Sequence, residues 1–159
     1  MNVLIHEHHK SESAVFSELQ ERMISRLKGS KIVLSDLRAP ELKNKVVEIF
    51  REAGWSSEVS VDFELKHFIS GIFQRVGFMA QFGNMAMCYA DLLKLQLLFD
   101  RDMIECAFYI VMTKSDIRAR KENYAQYEKF CKHLKLYSKI IKVPITVMGI
   151  ESDEHAIRF

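Results

Sequence analysis

Residues 67–84 read HFISGIFQRVGFMAQFGN, and this span decides how the rest of the chain is understood. Its β-branched and aromatic runs predict two short strands joined by a tight turn, ending at Asn84 where a long apolar helix begins. On 76–82 the side chains alternate. Val76, Phe78, Ala80 and Phe82 take one face; Gly77, Met79 and Gln81 take the other. The span contains no Asp or Glu. A one-residue shift of the pairing would flip every side chain across the sheet and still bring in no carboxylate.

Downstream, Asn84 is placed to cap the helix Met85 to Phe99, which is apolar nearly all round. Such a helix is either central to a domain or shared with a second subunit. It carries Asp91 and Lys94 and is too short to span a bilayer. Cys106 to Met112 is a continuous apolar run suited to a buried strand. A basic loop follows, with Lys114, Arg118, Arg120 and Lys121, then an amphipathic helix from Tyr124 to Leu136 and a strand from Pro144 to Ile150.

Upstream, Val59 to Phe68 alternates as one strand, with Val61, Phe63 and Leu65 opposite Asp62, Glu64 and Lys66. Two helices precede it: one capped by Ser11 or Ser13 and closed by Gly29, the other opening at Pro40 and ending at Gly54. Asn2 to His6 predicts a short strand, and His6, His8 and His9 read as a solvated cluster rather than a metal site. The whole order suits an α/β domain with a mixed sheet flanked by helices, spanning residues 1–159.

With 159 residues, 48% hydrophobic and 28% charged, the chain has the composition of a globular protein with its own core. A net charge of +2 is too mild to establish nucleic-acid binding, which would rest on local patches. Cys88, Cys106 and Cys131 form no CxxC pair and read as reduced thiols. The start MNVLIHEHHK has no basic region followed by a long apolar run, so a cytoplasmic protein is expected.

Hydrolysis of a phosphodiester by a divalent ion needs carboxylates held a few ångströms apart on a rigid support. Met79 cannot hold Mg²⁺, because a thioether is soft and the ion is hard. Gln81 could orient water or ligate weakly through its amide oxygen. The nearest acids are Asp62 and Glu64, and Glu64-x-Lys66 matches the bare E-x-K fragment of metal nucleases, a pattern that charged alternation on a half-exposed strand also produces.

From residue 58 to about 150 the chain resembles the BglII family of type II restriction endonucleases, within the PD-(D/E)XK fold. The family pattern Val-Glu-x-Gln-Phe-(Ser or Gly)-Asn reads here Phe78-Met79-Ala80-Gln81-Phe82-Gly83-Asn84. Further landmarks are Met112-Thr113-Lys114, the Tyr-rich segment Asn123 to Glu128, and Val143-Pro144-Ile145 with Gly149. The resemblance places the family's hairpin Asp on Ser70, its Glu on Met79 and its following Gln on Gln81. It places the base-contacting Asn on Asn84 and further DNA contacts on Lys114, Arg118, Arg120 and Lys121. It therefore implies a restriction-endonuclease-like sheet that faces double-stranded DNA without its two metal-binding acids. Three functions stay open: a catalytically impaired DNA-binding protein, an active Mg²⁺ nuclease with a site migrated to Asp62, Glu64 and Lys66, and a non-enzymatic homodimer joined through helix 85–99.

Overall fold

The computed structural model describes residues 1–117 and 123–153. Strand β1 (Asn2–His8) leads to helix α1 (Ala14–Gly29), whose first turn is capped by Ser13 Oγ accepting the Phe16 N–H at 3.4 Å. Helix α2 (Ala39–Glu52) holds Pro in its first turn, and the Glu41 carboxylate reaches back to the Arg38 N–H at 2.9 Å. Strands β2 (Val59–Asp62), β3 (His67–Ile69), β4 (Gly71–Phe73) and β5 (Val76–Ala80) follow. Then come α3 (Met85–Asp100), β6 (Cys106–Met112), the single turn α4 (Lys114–Ile117), α5 (Tyr127–Leu136) and β7 (Ile145–Glu151).

Five strands form one mixed sheet in the order β1-β7-β6-β5-β4. The centre, β5, β6 and β7, is parallel; β1 and β4 pair antiparallel at the edges. Parallel strands covered on both faces read as unbroken apolar runs, and every residue of CAFYIVM in β6 is buried. The two faces make two cores. Phe78 stacks on Phe50 at 4.1 Å between ring centres, and Trp55 fills the space between them and Phe108, on the α1–α2 side. Met79 and its register partner Tyr109 lie on the other side, under α3 and α5. The alternation expected on 76–82 is thus the alternation observed, and the mixed sheet flanked by helices is as the sequence suggested.

Upstream of the hairpin the expectation of one long strand fails. Residues 63–66 form a turn, and β2 and β3 pair with each other as a separate two-stranded sheet. The Asp62 carboxylate accepts the Leu65 N–H at 2.8 Å, and Lys66 takes a left-handed φ of 54°. A local side-chain bond has won over the strand ladder. Phe63 and Leu65, expected to share a strand face with Val61, are 80% and 71% exposed while Val61 is buried. The stretch 67–84 therefore holds three short strands. Its tight turn is Gln74-Arg75 between β4 and β5, with both residues at positive φ (48° and 63°), as a two-residue hairpin of the right twist requires.

At the other end of the chain, α5 begins at Tyr127 rather than Tyr124, because residues 123–125 bond back to the hairpin exit. Met85 N–H donates to Asn123 O and Ala125 N–H to Gly83 O, both at 2.7 Å. Tyr127 then packs closely against Gly149 of β7. A Cβ there would stand 2.6 Å from Cδ2 and 2.7 Å from Cγ, atoms too near the backbone of α5 to swing aside. Gly149→Ala is expected to lower stability by about 1–3 kcal/mol through overpacking. The urea midpoint checks this, and an unchanged midpoint would mean that α5 rides loosely on the sheet.

His8 corrects another expectation. It is buried rather than solvated, and its Nε2–H donates to Ile141 O at 2.8 Å. Burial, aided by the neighbouring His9 and His6, holds its pKa below the ordinary 6.5 despite that hydrogen bond. The unfolded chain then binds the proton more readily, so stability is full above about pH 6.5 and falls as pH drops through the window below it. Thermal melts from roughly pH 8 to 5 should show this loss, and His8→Gln should flatten it.

Candidate functional site

Ser70 sits where β3 gives way to β4, almost fully buried. Its N–H donates to Phe78 O at 3.1 Å, and its Oγ accepts the Ala80 N–H at 3.4 Å. It stitches the strand break to β5. Met79 is also buried, packed with the α3 core. Both line a cavity of about 190 Å³ whose other walls include Lys43, Glu58, Lys66, Gln81, Asp91 and Lys94. The two positions that the resemblance assigns to metal acids therefore do share one hollow.

The residue that sequence reading passed over is Asp91. It stands on α3 facing inward with Cys88, Leu92 and Leu95 and is 1% exposed. Its Oδ2 accepts Gln81 Nε2–H at 3.1 Å and the Tyr109 hydroxyl at 2.9 Å, while Oδ1 pairs with Lys94 Nζ at 3.1 Å. Gln81 is locked from its other end, since its Oε1 accepts the Gly83 N–H at 3.1 Å. Burial, then the Asp91 charge, pushes Tyr109 well above the usual phenol range, so it stays a neutral donor. Burial pushes the neighbouring Cys88 thiol up to about 12, which removes it as a nucleophile. The signal was present in the sequence. An acid three residues from an inward Cys and four from an inward Leu, on an otherwise apolar helix, must be buried and must find partners.

This donor set does not fit Mg²⁺. Asp91 already serves three donors, one of them an ammonium; Glu58, the cavity's other acid, is exposed; Ser70 and Gln81 hold backbone groups; Met79 offers sulfur. Among the described residues no group of three or more His, Cys, Asp or Glu could hold a metal ion, the His6, His8 and His9 cluster included. Of the alternative set, Asp62 is held by its own turn and Glu64 stands in the exposed turn; Lys66 alone lines the cavity.

Asn84 caps α3 as expected, its Oδ1 accepting the Ala86 N–H at 2.9 Å, from an exposed position at the hairpin exit. Lys114 is exposed at the start of α4, its N–H bound to Glu128. Arg118, Arg120 and Lys121 lie outside the described residues. On the outer face of α3, Met87, Leu93 and Leu97 are exposed, and Leu93 borders an apolar groove of about 210 Å³ with Tyr89, Tyr137 and Ile140. No helix among the described residues is long and apolar enough to cross a membrane.

No curated protein matches the sequence. Among solved structures, the chain is similar to restriction endonuclease BglII complexed with a DNA 16-mer, with a TM-score of 0.77 and 12% identity, covering 96% of this chain and 79% of that one. It is also similar to free BglII, with a TM-score of 0.64 and 14% identity over 96% of this chain and 81% of that one. The family model for restriction endonuclease BglII/BglIII matches residues 3–150. The chain, with its hairpin, its exit motif and its five-stranded mixed sheet, belongs to the BglII/BglIII restriction endonuclease family.

Proposed function

We propose that this chain binds double-stranded DNA through the restriction-endonuclease fold and cleaves it poorly or not at all. The observation that carries this reading is the hollow over β5, where the one buried carboxylate, Asp91, is spent on Gln81, Tyr109 and Lys94. Asn84 at the hairpin exit and the basic stretch beginning at Lys114 are its DNA contacts, and Arg118, Arg120 and Lys121 extend that stretch. The BglII structure in complex with DNA supports the class of partner. A homodimer through α3 is the companion proposal, supported by the exposed Leu93, Leu97 and Met87. Three free cysteines suit the reducing cytoplasm.

The test is incubation with plasmid and long duplex DNA in Mg²⁺ and in Mn²⁺, beside Asp62→Ala and Glu64→Ala variants. The expected result is a gel shift that weakens steeply with salt, without cleavage, because phosphate contacts release counterions. Cleavage that disappears in either variant would establish the migrated nuclease site instead. No binding at any salt would favour the homodimeric interaction protein.

A further inference from the structure

We propose that the hollow over β5 is a phosphate seat that works without a metal, in which Lys94 supplies the positive charge. The inference rests on the DNA-binding reading and names what that surface grips. Lys43, Lys66 and Lys94 converge on the cavity against Glu58 and Asp91, leaving one net positive charge. A larger hollow of about 610 Å³ shares Lys43, Glu58 and Ser70 with it, but carries Lys43 and Arg51 against Glu48, Glu52 and Glu58. An anion is therefore drawn to the smaller cavity and repelled from the larger.

Lys94 is the built part of the seat. Its side chain is 14% exposed and is pinned by Asp91, which is itself fixed by Gln81 and Tyr109. An ammonium carries three donors, and Asp91 Oδ1 takes one. Lys94 lines the cavity and is only 14% exposed, so its ammonium stands in surroundings poorer in water than bulk solvent, where attraction to an anion is stronger. Lys66, in the exposed turn before β3, and Lys43, on α2, close over the same space from two other directions. A divalent ion bridges carboxylates to a phosphate; here the carboxylate holds a lysine, and the lysine holds the phosphate. The seat needs no chelatable ion, and added Mg²⁺ acts only as a competing counterion.

Two measurements test this on the full chain. In the first, a short fluorescein-labelled duplex is titrated by anisotropy in EDTA and in Mg²⁺ across a salt series. Equal or weaker binding in Mg²⁺ is expected. Lys66→Gln and Lys94→Gln should each weaken binding about tenfold and lower the salt slope by about one, whereas Lys94→Arg should retain it. Since Lys94→Gln leaves Asp91 without its counter-charge, Asp91→Asn with Lys94→Gln serves as the folded control, checked by Trp55 fluorescence. In the second, inorganic phosphate should raise the melting temperature of the wild type and not of the Lys66→Gln or paired variants. Binding strengthened by Mg²⁺ and abolished by EDTA would overturn the seat while leaving DNA binding intact. DNA binding indifferent to all these lysines, with no phosphate effect, would do the same. A phosphate effect without DNA binding would sustain the seat and remove DNA as its ligand.

Discussion

Asp91→Ala is expected to cost about 3–5 kcal/mol of folding stability, the largest loss of any single polar substitution among the described residues. The cost arises less from the pair itself than from what is left behind. Gln81 Nε2 and the Tyr109 hydroxyl lose their acceptor, and Lys94, nearly enclosed, loses its counter-charge. Each unpaired buried group adds about 1–3 kcal/mol, more if charged. Asp91→Asn should cost less, because its amide oxygen still accepts from one or two of the donors. Urea unfolding read by Trp55, the single tryptophan and a buried one, measures both variants. A loss below about 1 kcal/mol would mean that water enters the cavity freely and satisfies these groups.

Met79→Glu is expected to cost about 1–3 kcal/mol, the desolvation of a new buried carboxylate set against the lysines that line the same cavity. Met79 is 3% exposed and shares its cavity with Asp91, so the new carboxylate meets desolvation and a like charge, which Lys43, Lys66 and Lys94 offset in part. The informative variant adds Ser70→Asp. If the hairpin keeps the frame of a metal site, the double variant gains two hard ligands on one hollow, and Mg²⁺ should restore about 2.7 kcal/mol at a hundredfold excess over its dissociation constant. Thermal melts with Mg²⁺ and with EDTA read this directly. Equal loss in both conditions would show that the hairpin no longer has the geometry of a metal cradle, whatever its ancestry. The wild type should be indifferent to the ion in either case.

Much of the fold was visible without coordinates because its signals are local. The two faces of β5 follow from alternation, and the starts of α1 and α3 from a serine at 11 or 13, which proves to be Ser13, and from Asn84. The unbroken apolar run of β6 announced a buried strand. The failures have two causes, a local side-chain bond and packing by distant segments. At 59–68 the alternation was real, but the Asp62 carboxylate could bond the chain three residues on, and that bond made a turn. At His8 the residue type suggested solvent, while docking of Ile141 from the far end of the chain buried it. The start of α5 moved because residues 123–125 had backbone bonds to make with residues 83–85.

The candidate site divides in the same way. That residues 67–84 hold no carboxylate, that Met79 and Gln81 share a face, and that Asn84 begins a helix are properties of the chain as written, since they depend on composition and on the period of a strand. That Asp91 meets Gln81, Tyr109 and Lys94 is not, because these groups come from a helix, from β6 and from the residue just after β5, brought together by a parallel crossover. Residue type and spacing specify which side of an element faces inward. Which charges meet there is set by packing between distant segments, and that packing turned an overlooked acid in an apolar helix into the centre of the site.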